Sequence, residues 1–122
     1  MTEISSEQIL QTAVKAIDDK RGEDIVALDV RDVSLLADYF LIANGSSERQ
    51  MNAIAENVVD QVGELGHTVK RVEGKAGGKW ILIDLGDVIV HIFSKAEREF
   101  YNLEKLWSDA PMVNIDAYLG VE

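Results

Sequence analysis

Asn44-Gly45-Ser46-Ser47 is the place in this 122-residue chain where residue types and spacing first suggest chemistry, and the chemistry would be on a phosphate. A Gly-Ser pair between a strand and a helix is how nucleotidyl-transferring enzymes hold a triphosphate near a helix N-terminus, where anions are favoured. That reaction also needs two or three carboxylates for magnesium, usually Asp-x-Asp or Asp-x-Glu on the following strand. Here the following strand-like segment reads Thr68-Val69-Lys70-Arg71-Val72, with two cations where the carboxylates should stand. The Gly-Ser pair is therefore read as a helix cap. Lys75 to Lys79 is no phosphate loop either, because it leads into a strand and lacks Gly-Lys-Ser/Thr.

Other catalytic sets are incomplete. The two histidines are His67, in a turn after the helix-ending Gly66, and His91, in the middle of a strand. Neither has a second histidine or a cysteine near it in sequence to build a metal set. A triad at His91 would need an activated serine, and no strand-turn-helix nucleophile elbow is present. Asp84 and Asp87 could suggest a two-carboxylate site, but Asp87 belongs to a turn and the two point differently. With no cysteine in the chain, disulfides and thiolate metal sites are excluded, and a reducing compartment is expected. The expectation is a protein that is no enzyme and takes no cofactor.

The elements around these residues carry more information. Trp80-Ile-Leu-Ile-Asp-Leu-Gly-Asp-Val-Ile-Val-His-Ile-Phe93 holds two apolar runs joined by Gly86-Asp87, a dipeptide suited to a two-residue hairpin. That turn sets the register. Leu85 faces Val88, Ile83 faces Val90 and Ile81 faces Ile92 on one side of the ribbon. Asp84 faces Ile89, Leu82 faces His91 and Trp80 faces Phe93 on the other. The first side is aliphatic and belongs under helices. The second is aromatic and partly polar, which suits recognition better than a core.

Ser5-Ser6-Glu7-Gln8 has the form of a capping box and opens a helix to about Lys20, with an apolar stripe of Ile9, Leu10, Ala13, Val14 and Ile17. Strands are expected over Asp24–Val30 and Tyr39–Asn44. A helix then runs from Ser47 to about Leu65, with Met51, Ile54, Ala55, Val58, Val62 and Leu65 at helical spacing. Thr68–Val72 reads as a charged edge strand, and Ala96–Trp107 as one last helix. The order predicts an α/β domain: a mixed five-stranded sheet with flanking helices, the two long ones on one face. Residues 1–110 form this single domain, and 111–122 a loosely held C-terminal tail.

Charge bears on partners. Twenty-two acidic and twelve basic residues give a net charge of −10. The long-range field repels phosphate backbones, so no direct DNA binding is expected, while a basic protein partner is attracted. No stretch approaches the roughly 20 apolar residues of a membrane span, and the acidic N-terminus lacks a signal-peptide pattern. A cytoplasmic protein is expected.

Taken together, several blocks resemble the ribosomal silencing factor family (RsfS, also called Iojap). They are Asp24-Ile-Val-Ala-Leu-Asp-Val30 and Ala37-Asp-Tyr-Phe-Leu-Ile-Ala-Asn-Gly45, followed by Ser47, Arg49 and Gln50. Further on come Gly78-Lys-Trp80, Asp84-Leu-Gly-Asp87, Val90-His-Ile-Phe93, Arg98-Glu-Phe-Tyr-Asn-Leu-Glu104 and Leu106-Trp107. The resemblance implies a degenerate nucleotidyltransferase fold without catalysis. It implies binding to the large ribosomal subunit at ribosomal protein number fourteen, blocking subunit joining and lowering translation when nutrients are scarce. It also implies a homodimer. An assembly factor for the large subunit at the same site is the alternative, and a nucleotide-binding enzyme the more distant one. Carried over residue by residue, the contact surface centres on Trp80, Asp84, His91 and Phe93, with Tyr101, Lys95 and Arg98 nearby.

Overall fold

A computed structural model describes residues 4–119, with backbone alone for Lys75 and Ala76. Helix α1 (Ser6–Asp19) starts at the expected capping box: Ser5 Oγ accepts from Gln8 N, and Gln8 Oε1 accepts from Ser5 N. Strands β1 (Glu23–Asp29) and β2 (Tyr39–Gly45) follow, then α2 (Glu48–Glu64), capped by Ser47. Next come β3 (Arg71–Lys75), β4 (Trp80–Asp84) and β5 (Val88–Ser94). Two short helices, α3 (Lys95–Tyr101) and α4 (Leu103–Leu106), precede a last strand, β6 (Met112–Val113).

The sheet order is β3-β4-β5-β2-β1-β6. Only β2 and β5 run parallel among the paired strands, so the sheet is mixed, as expected. The hairpin register is the expected one: Trp80 pairs with Phe93, Ile81 with Ile92, Leu82 with His91, Ile83 with Val90 and Asp84 with Ile89. Gly86 takes φ 92°, where a side chain would strain the turn. Both long helices lie on the aliphatic face. Ile81, Ile83, Leu85, Val88, Val90 and Ile92 are buried in one cluster with Ile9, Val14, Ile17, Ile54, Val58 and Val62.

Three boundaries differ from the sequence reading. The edge strand falls on Arg71–Lys75 rather than on Thr68–Val72, because pairing with β4, not β-propensity, decides it. The last helix is broken: Asn102 adopts φ 47°, ψ 57°, a left-handed conformation that Asn tolerates better than most residues. Among the described residues the sheet has six strands, not five. After Pro111, in the stretch expected to be a loose tail, Val113 and Met112 pair with Ala27 and Leu28, and Ile115 is buried in the main core.

Gly22, just beyond α1, packs too closely on that helix for any side chain. A Cβ built there would lie 2.2 Å from Cγ2 of the fully buried Ile17. Gly22→Ala is therefore expected to destabilise the domain by about 1–3 kcal/mol, as overpacking does, measured by urea unfolding. The end of β1 carries a staple that periodicity does not reveal. Arg31 donates through Nε and Nη2 to both carboxylate oxygens of Asp29, at 2.9 and 2.6 Å, and lies 5.5 Å above the Tyr39 ring. The hydrogen bond from Arg31 holds the Asp29 carboxyl below its ordinary pKa. A carboxyl depressed in the folded state stabilises above its unfolded pKa and stops doing so as pH falls through the folded one. Asp29→Asn should thus lower stability slightly at pH 7, the pair being exposed, and the difference from the parent should vanish in acid.

Candidate functional site

Because side chains alternate along strands, one full row set of the sheet faces away from α1 and α2. It comprises Glu73 on β3, Trp80, Leu82 and Asp84 on β4, and Ile89, His91 and Phe93 on β5. Phe40, Ile42 and Asn44 on β2 continue it. Part of this face forms a second core. Leu28, Val30, Phe40, Ile42 and Phe93 are buried there, with Leu103 and Trp107 packed on them, and Trp107 meets Phe40 edge-on at 5.0 Å. The β4 side of the face stays open: Trp80, Leu82, Asp84 and Ile89 are only partly buried.

Trp80 is held from several sides. Its ring stacks on Phe93 at 4.9 Å and lies 4.7 Å from Tyr101. Its Nε1 donates to Nδ1 of His91 at 3.2 Å, so the imidazole accepts at that nitrogen. His91 is buried, with Phe40 edge-on at 5.7 Å and the Phe93 ring nearly parallel to it at 6.1 Å. A partly covered indole on an aromatic bed results, with Tyr101 beside it and the exposed Phe100 edge-on to Tyr101 at 5.1 Å.

The seven residues singled out from the sequence divide by this geometry. Trp80, Tyr101 and the exposed Lys95 present surface. Asp84 is partly committed: its Oδ1 accepts from Gly86 N at 2.9 Å, capping the hairpin turn, and Oδ2 lies 3.8 Å from Arg71 Nε. Phe93 has no exposed surface and His91 little, so they support Trp80 from beneath. Arg98 turns inward. Its Nη1 donates to Asp24 O and Asn44 Oδ1, and its Nε to Glu104 Oε1. Sequence spacing did not single out Asn44, buried to 1% exposure, or Glu104 as parts of that network. Only Asn44's place at the end of a fully apolar strand hinted at it.

The Gly-Ser turn is also in use. Gln50 Oε1 accepts from Ser46 N at 2.6 Å and from Ser46 Oγ at 2.8 Å, while its Nε2 donates to the carbonyls of Lys20 and Arg21. The donors that would cradle a phosphate therefore bind the chain's own amide. Among the described residues no group of three His, Cys, Asp or Glu side chains is placed to hold a metal ion, and no helix is long and apolar enough to cross a membrane.

The fold and this face define a small α/β domain that presents an aromatic surface on the side of its sheet away from the long helices. The chain belongs to the family described as "Ribosomal silencing factor during starvation", whose model matches residues 3–121. It is 53% identical over 113 residues to the ribosomal silencing factor RsfS of Bacillus subtilis, covering 93% of this chain and 96% of that protein. It is also 30% identical over 98 residues to mouse "Mitochondrial assembly of ribosomal large subunit protein 1", covering 78% of this chain and 43% of that one. Two crystal structures share the fold. One, from Chromobacterium violaceum, has a TM-score of 0.83 at 35% identity, covering 86% of this chain and 88% of its own. The other, from Bacillus halodurans, has a TM-score of 0.78 at 50% identity, covering 89% and 99%.

Proposed function

We propose that this chain is a non-enzymatic translational repressor. It binds the large ribosomal subunit at ribosomal protein number fourteen and sterically blocks joining of the small subunit, lowering translation under nutrient limitation. The observation that carries the reading is the partly buried Trp80, stacked on Phe93 with Tyr101 beside it, on the less covered β4 side of the aromatic face. Preorganised aromatic anchors in a partly apolar patch are what protein interfaces use. The net charge of −10 favours encounter with a basic ribosomal protein. In this reading the chain is cytoplasmic and homodimeric, and Trp80, Tyr101, Asp84 and Lys95 meet the partner while His91 and Phe93 hold them from below.

A role in assembling the large subunit at the same site is the second reading, favoured by the printed name of the mouse relative. The nucleotidyl-transferring alternative is disfavoured by the occupation of Ser46 by Gln50. Separated subunits are mixed with and without the protein and resolved on a sucrose gradient. Fewer whole ribosomes, with no nucleotide added, is the expected result. Unchanged joining together with altered subunit maturation in a deletion strain would favour the assembly role.

A further inference from the structure

We propose that Arg98 is a positioning residue for the recognition face: its guanidinium holds the α3–α4 elbow on the sheet and thereby sets Tyr101 over Trp80. The inference deepens the reading above and rests on it for its consequence in binding.

Helix α3 has seven residues and buries none of them fully. So short a helix is unstable alone and needs tertiary ties. Its apolar side chains do not supply enough of them, since Phe100 is 77% exposed and Tyr101 40%. Arg98 does, with a side chain only 10% exposed. Its Nη1 reaches Asp24 O at 2.6 Å and Asn44 Oδ1 at 2.7 Å, and its Nε reaches Glu104 Oε1 at 3.0 Å. One planar group thus ties α3 to β1, to β2 and to α4. A fixed fork of donors suits this where a flexible ammonium would not.

Each acceptor is prepared for it. Asp24 takes φ 50° where the β1–β2 register slips between Glu23 and Val26. The Asn44 amide is oriented by donating Nδ2 to Glu23 Oε1 at 3.0 Å, which turns its oxygen to the guanidinium. The left-handed Asn102 makes the elbow and donates its N–H to Arg98 O at 2.9 Å. Arg98 lies one turn before that break and Glu104 just after it, so their ion pair spans the bend. Between them stands Tyr101, whose ring meets Trp80 at 4.7 Å and Phe93 at 6.2 Å. Loosening Arg98 would let the elbow drift and uncover Trp80, without touching the partner.

The test is a double-mutant cycle of Arg98→Lys with Tyr101→Ala. Trp107→Phe in every protein leaves Trp80 as the sole indole, and acrylamide quenching reads its shielding. Arg98→Lys should raise quenching toward the Tyr101→Ala level, with no further rise in the double variant. Binding to the large subunit should weaken about tenfold for Arg98→Lys alone, but under about twofold when Tyr101 is already Ala, as expected for coupled residues. Unchanged Trp80 shielding, or equal weakening with and without Tyr101, would overturn the proposal. If Arg98→Lys does not fold, Glu104→Gln carries the test with a smaller effect in the same direction, and no change in either readout overturns it. If the parent chain does not bind the large subunit, the functional reading falls. The quenching comparison then decides the role of Arg98 alone.

Discussion

Trp80→Ala weakens binding to the large ribosomal subunit by about thirtyfold or more in the expected result, the size of a central aromatic hot spot at roughly 2 kcal/mol. The indole is already immobilised between Phe93 and Tyr101, so little side-chain entropy remains to be lost on docking. The part of the ring left exposed is what a partner would desolvate. The substitution also costs stability, because Trp80 Nε1 donates to the buried His91. A loss of about 1–2 kcal/mol is in keeping with a removed side chain–side chain hydrogen bond and part of a ring's burial. Trp80→Phe keeps the stacking and should retain more of both. Melting temperature and subunit binding measured on the same preparations separate the effects. Unchanged binding per folded molecule of Trp80→Ala would remove Trp80 from the contact surface.

Phe93→Ala behaves in the opposite way. The ring is completely buried, packed in the second core with Phe40 and Ile42 and stacked under Trp80. Emptying that site should cost about 3–5 kcal/mol. A domain of this kind has on the order of 5–15 kcal/mol in all, so the variant lies near the edge of folding. Phe93→Leu, which leaves a smaller void, should be milder and measurable by urea unfolding. Its binding per folded molecule should stay close to the parent's. A stable Phe93→Leu protein that no longer binds would instead make Phe93 a direct contact.

These two outcomes differ although Trp80 and Phe93 face each other across one hairpin. The register that pairs them was legible in the sequence, because Gly86-Asp87 fixes the turn and period-two alternation does the rest. Which of the two ends up beneath the other was not. That depends on α4 and Trp107 covering the β2 side of the face and leaving the β4 side open, a long-range choice that no local pattern encodes. Arg98 makes the same point: as a charged residue in a helix it reads as surface, yet three acceptors from distant segments draw it inward. The break at Asn102 was hidden for another reason. Phe100, Leu103 and Trp107 keep an apolar spacing across it that mimics one continuous helix.

By itself the sequence determined the α/β class, the capped long helices, the hairpin register, the aliphatic and aromatic faces and the net charge of −10. All of these follow from local propensity, from periodicity or from composition, which act over a few residues or over the whole chain. Tertiary structure alone decided the sixth strand, the place of β3, the elbow at Asn102 and the division of the aromatic face into a buried bed and an open anchor. Each of those depends on which distant segment supplies a hydrogen bond or covers a surface. Met112 and Val113 become a strand because β1 offers them a partner, and Trp80 keeps part of its surface because it lies toward the β4 side of the face, while Trp107 packs edge-on against Phe40 on the β2 side.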